Sequence, residues 1–115
     1  MAEVLGMMVT GAHTARAPAQ NTYKLLYTAT QQGTISVHVC NTTAALALFQ
    51  IAIIDAATAY VDGNTPPLYS FVHYDEEVDA KQSYDTVSFQ VATGDKIVVR
   101  TDTNGVTFLP TGILT

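Results

Sequence analysis

The sequence predicts an all-β fold: a single β-sandwich, Ig-like or jelly-roll-like, of seven to eight antiparallel strands. Three observations predict it. Apolar and polar residues alternate over short runs, turn signals recur roughly every 8–12 residues, and Thr, Ser, Gln and Asn make up much of the polar share. Charged residues are only 13% of the chain, against about 25% in an ordinary soluble domain. The 115 residues fit one domain. A chain this long buries roughly 60–70% of its unfolded surface, enough for a core without staples.

In chain order, residues 1–22 read as an N-terminal arm or edge strand and residues 23–115 as the sandwich. Val4-Leu5-Gly6-Met7-Met8-Val9 is apolar, and the GAHTARAPAQN that follows is small and loop-like. This segment suits either an edge strand or an arm lying on a neighbouring subunit. YKLLYTATQQGTISVHVC carries two strands about a Gln31-Gln32-Gly33 turn, with Ile35, Val37 and Val39 on one face and Ser36, His38 and Cys40 on the other. In HVCNTTAALALFQIAIID, Phe49, Ile51 and Ile53 alternate with Gln50 and Ala52. A strand is expected over about residues 46–54, after a loop at 41–45. Helix is the alternative that a short apolar run leaves open by period alone.

DAATAYVDGNTPP reads as a long, turn-rich connection. PPLYSFVHYD alternates again, which sets Tyr69, Phe71 and His73 on one side and Ser70, Val72 and Tyr74 on the other. DTVSFQVATGD points Val87, Phe89 and Val91 one way and turns at Thr93-Gly94-Asp95. Asn104-Gly105 then sits between two alternating runs, the pattern of a two-residue type I′ hairpin. That hairpin would set Thr101 opposite Phe108 and gather Ile97, Val99, Val106 and Phe108 on a core face. Pro110 cannot donate to a ladder, so its strand is expected at an edge or bulged there.

Chemistry is sparse. The formal charge is −5, and the five Lys and Arg are scattered singly, which argues against nucleic-acid binding. No window approaches the ~18 apolar residues of a membrane span, and no basic leader precedes an apolar segment. The expectation is a soluble protein made in a cytoplasm, with no membrane and no cofactor. Cys40 and His38 share a strand face, but no third group in the sequence orients the imidazole, so a catalytic pair is not expected. His13, His38 and His73 lack metal-ligand spacing. Asp75-Glu76-Glu77-Val78-Asp79 lacks the ligand pattern of a calcium loop and reads as a solvated acidic loop, or one facing a basic partner. Asn41-Thr42-Thr43 matches a glycosylation sequon but reads as turn chemistry. Tyr60, Tyr69, Tyr74 and Tyr84 lie in or beside loops, where tyrosine pads a strand, anchors an interface or stacks on a sugar.

Several stretches together resemble a family of small structural proteins of tailed bacteriophages. They are Val4-Leu5-Gly6, Leu26-Tyr27-Thr28, Val39-Cys40-Asn41, Phe49-Gln50-Ile51-Ala52-Ile53, Tyr74-Asp75, Gly94-Asp95-Lys96-Ile97-Val98-Val99 and a last strand with Phe108. In order and spacing they span almost the whole chain. The sequence departs from the family where Gln31-Gln32-Gly33 replaces a Pro-Ala-Gly-like turn, and in the acidity of residues 75–79. The resemblance implies a β-sandwich of the virion, assembled in the host cytoplasm, acting in many copies without catalytic residues or cofactor. Its expected partners are the major coat protein or other virion proteins, with a homo-oligomer within the assembly. A capsid decoration or cement protein is the first expectation; a tail, neck or baseplate protein of the same fold is the second. A carbohydrate-binding module is the rival of another class. The expected interface residues are Val4, Leu5, Met7, Met8 and Val9, then Tyr74, Asp75, Glu76 and Glu77.

Overall fold

The structure, a computed structural model, describes residues 3–5 and 16–114. Nine strands lie among them: β1 (Glu3–Leu5), β2 (Lys24–Thr28), β3 (Gly33–Asn41), β4 (Ala47–Ile54), β5 (Phe71–Val78), β6 (Ser83–Asp85), β7 (Phe89–Val91), β8 (Lys96–Thr101) and β9 (Val106–Leu114). The first sheet has the order β1-β9-β3-β6, and β7 pairs with β3 beside β6; the second has the order β2-β8-β4-β5. All the pairs are antiparallel.

The connectivity decides between the two expected sandwich types. Among the described strands, β4 and β5 are the consecutive ones that pair; elsewhere the chain pairs its first half with its second, β1 with β9, β2 with β8, and β3 with β6 and β7. One long hairpin with its tip at β4–β5 has been rolled into two facing sheets. That is a jelly roll, with β6 and β7 serving as one interrupted strand. Thr86 fills the interruption: its N–H donates to the Val37 carbonyl at 3.1 Å, and its Oγ1 accepts the Val37 N–H at 2.9 Å.

The alternation on β3 is as expected, with Ile35, Val37 and Val39 fully buried. Ile97, Val99, Val106 and Phe108 are also core, but the expected Asn104-Gly105 hairpin does not form. β8 pairs with β2 and β4, whereas β9 pairs with β1 and β3. The two strands face each other across the core from opposite sheets, and the turn is a corner between layers. Asp102 extends the second sheet by exchanging bonds with Leu48, N–H to carbonyl at 3.1 Å and Leu48 N–H to Asp102 Oδ1 at 2.9 Å. Gly105, at φ +99°, then turns under Thr42, which donates both its N–H and its Oγ1 to the Gly105 carbonyl. Only a residue without a Cβ fits, since that atom would lie 2.7 Å from Thr43 Cγ2.

Pro110 stands opposite Val37. Val37 turns its backbone donor and acceptor away from β9, toward Thr86. Pro110 therefore occupies a position where the ladder needs no N–H, and its ring nitrogen faces the outer side of β9. β1 covers that side at Gly112, Ile113 and Leu114.

The apolar run of the fourth element is a strand, Ala47–Ile54. Its inner residues Phe49 and Ile51 join the main core. Its outer residues Ala52 and Ile54 are buried too, in a second cluster with Val98, Tyr23, Leu25, Tyr60 and Phe71. The long connection between β4 and β5 supplies Tyr60, so β4 is covered on both faces. This explains why the run lacks a polar face.

Asn41, fully buried, confirms the turn-chemistry expectation. Its Nδ2 donates to the carbonyls of Ala45, Val78 and Asp79, and its Oδ1 accepts from Thr43 N–H and Oγ1. One side chain thus ties the β3–β4 and β5–β6 corners together.

Candidate interaction surfaces

β5 is an edge strand of the second sheet, and it carries four of the expected interface residues. The acidic segment is not a loop: Asp75, Glu76, Glu77 and Val78 belong to β5. Two irregularities break its pairing with β4. Phe49 pairs with Glu76 but Ile51 with His73, and Ala52 then pairs with Phe71. The extra residues bulge out, and Asp75 takes a left-handed φ of +53° that aspartate tolerates better than most.

The bulges also correct the expected faces. Phe71 joins the outer cluster, while His73 turns inward, its ring 5.7 Å from Phe49, 5.5 Å from Tyr84 and 6.3 Å from Phe89. Ser70, expected beside Tyr74 on the other side, is buried at the end of a 3-10 turn, Leu68–Ser70. Tyr69 at that turn is 76% exposed. The expected partners of β7 shift as well: Val87 lies outside the strand and is exposed, because Thr86 has already bonded back to Val37.

The acidic residues divide by role. Asp75 Oδ1 accepts from the buried Gln50 Nε2 at 2.8 Å, and Gln50 Oε1 accepts from Tyr23 Oη at 2.7 Å. Glu76 turns toward the seam between the sheets, 3.3 Å from both His73 Nδ1 and Tyr84 Oη. Burial, and next the negative Glu76, push the Tyr84 phenol above its usual value. Glu77, Asp79 and Tyr74 are exposed. Tyr74 packs edge-on against Phe71 with centroids 5.0 Å apart.

At the chain start, Val4 and Leu5 lie on β1, opposite Ile113 and Gly112. Met7, Met8 and Val9 lie outside the described residues, as does His13. On the outer face of the first sheet, Asp85 comes from β6 to hold His38, with Oδ1 2.5 Å from Nδ1. This is the orienting group that local sequence did not reveal, since it lies 47 residues away. Cys40 is half-buried and reduced, and His38 Nδ1 is taken by Asp85. Among the described residues, no group of three or more His, Cys, Asp or Glu is placed to hold a metal, and no helix is long and apolar enough to cross a membrane. The space between the sheets is taken up by side chains such as Phe49, Phe108, Ile35, Ile51 and Ile97.

No family model matches this chain, and no curated protein matches it. Among solved structures, it is similar to a pentameric capsid protein isolated from metagenomic phage sequences, at 13% identity over 84% of this chain with a TM-score of 0.36. The match spans 61% of that protein's length. An overlap this loose says nothing of this chain's partners or assembly.

Proposed function

We propose that this chain is a non-enzymatic structural protein of a tailed-phage virion, and within it a capsid decoration or cement protein packing against coat subunits. One observation carries the reading: large apolar side chains stand in solvent on a sandwich short of charge. Val61, Leu68, Tyr69 and Val87 are between 66% and 81% exposed. Leu68 and Tyr69 adjoin on one turn, and apolar groups clustered in this way mark surfaces that other molecules cover. Each buried Å² contributes about 25 cal/mol, and repetition over a shell turns modest contacts into avidity. The sequence resemblance to phage structural proteins agrees in kind. Val4, Leu5, Met7, Met8 and Val9 are the first intersubunit contact in this reading, and Tyr74, Asp75, Glu76 and Glu77 the second.

Copy number and radial position in purified particles test it. On the order of hundreds of copies on the outer shell is the expected result. A single small ring of copies would move the protein to the tail, neck or baseplate, and absence from particles would overturn the proposal. Deleting residues 1–12 should lower occupancy while the isolated domain still melts cooperatively; full occupancy would remove the N-terminal contact. Exposed Tyr69 and Tyr74 favour a second reading, a carbohydrate-binding module. Specific glycan-array binding lost on Tyr69→Ala or Tyr74→Ala would promote it.

A further inference from the structure

The turn before β5 is built as a rigid prong. Pro66 and Pro67 fix the backbone entering it. Ser70 then closes it, donating both its N–H (3.0 Å) and its Oγ (2.6 Å) to the Pro67 carbonyl. Leu68 and Tyr69 stand at its tip, 81% and 76% exposed. Val72 and Tyr74 follow, 42% and 59% exposed, with Tyr74 braced by Phe71. An apolar anchor already held in shape loses little entropy on docking, and tyrosine is a preferred anchor residue. The bulges of β5 disfavour addition of a partner strand, so contact through side chains is what this edge permits.

Charge selects the occupant. Four of the chain's ten acidic residues fall at positions 75–79, directly after the prong. Glu77 and Asp79 are exposed there. A second copy of this chain is a poor match, because at least three of its five cations are engaged within the chain. Lys24 pairs with Asp62, Lys81 Nζ donates to the Thr42 carbonyl, and Arg100 lies over Tyr23 and donates to Asn21. We infer that the prong and the acidic half of β5 form one docking face for a different protein, whose surface carries lysine or arginine beside an apolar recess. This rests on the virion reading and names the partner's chemistry within it.

The experiment is rebinding of purified protein to particles stripped of it. Leu68→Ala/Tyr69→Ala should bind at least about ten-fold more weakly. Glu77→Gln/Asp79→Asn should bind several-fold more weakly and lose most of the salt dependence of the wild type. Gln90→Ala, exposed on β7 of the opposite sheet, should bind as the wild type does. All the changed side chains are exposed, and unaltered melting of each variant checks that the fold is kept. Carbodiimide coupling of assembled particles should join Glu77 or Asp79 to lysines of another protein. Wild-type binding by both multiple variants, or coupling to a second copy of this chain, would overturn the docking face. Wild-type protein that does not rebind would instead bring down the virion reading.

Discussion

The two edges of the second sheet meet water in opposite ways. At β2 the edge is closed by the chain itself: Asp62, from the β4–β5 connection, accepts the Leu25 N–H at 2.7 Å and pairs with Lys24 at 3.7 Å. At β5 no such cover is seen among the described residues. Two bulges, a left-handed aspartate and a row of carboxylates disrupt the ladder. Both devices keep a stray strand from adding to the sheet. Only the second leaves the surrounding side chains open. The difference teaches that protection from aggregation and availability for docking can coexist on one strand, if the backbone is guarded by shape and charge and not by a lid.

Gln50 couples the two edges, and breaking it has the largest expected effect. Its carboxamide accepts from Tyr23, just before β2, and donates to Asp75 on β5. Gln50 is 3% exposed, so its truncation removes two hydrogen bonds in a water-poor site. Gln50→Ala should cost about 1–3 kcal/mol, seen as a lower urea midpoint with unchanged slope. An unchanged midpoint would mean that the edges are held independently.

Asp62→Ala isolates the β2 edge. The ion pair is half-exposed, with side chains 39% and 46% accessible, so its own contribution is small. Adding the lost bond to Leu25, the expected cost is about 0.5–1 kcal/mol. Hydrogen exchange gives the sharper readout: the Leu25 amide should exchange faster while amides of β5 keep their rates. Equal acceleration at both edges would deny the separation drawn between them.

The same contrast shows which features were legible in the sequence. Face alternation is local, so Ile35, Val37, Val39, Ile97, Val99, Val106 and Phe108 could be assigned to the core without knowing any partner. Pairing is not local. Ile97 and Phe108 obey one pattern because they face the same interior from different sheets, and the pattern is blind to that. Asn104-Gly105 satisfied a hairpin rule while Asp102 was already bonded to Leu48. Bulges are equally silent, since the inserted residue at Val72 reverses the side chains that follow it and the second irregularity, at Asp75, restores the phase for Glu76–Val78; the signal available was Asp75, a residue type that accepts positive φ. One cue was open to use. A run apolar on both faces, as in β4, calls for cover on both faces, and the long connection that follows it supplies part of that cover through Tyr60.

The smallest effect concerns the seam behind β5, where Tyr84 donates to Glu76. Burial first, then the negative Glu76, raise the Tyr84 phenol above its ordinary 10.0. The folded state therefore holds this proton more tightly than the unfolded chain does. The stability tied to it is complete below about pH 10, the unfolded value, and falls away as pH rises through the higher folded value. Tyr84→Phe loses the bond to Glu76 at neutral pH, so it starts slightly less stable than the wild type. It has no phenol to ionise, so its urea midpoint should decline less steeply above about pH 10, and the gap to the wild type should narrow. Burial raises Tyr23 and Tyr60 too, so some alkaline loss persists in the variant. A gap that stays constant across that range would show that the Tyr84 proton is not linked to folding, and that the β5 seam is held by ring packing alone.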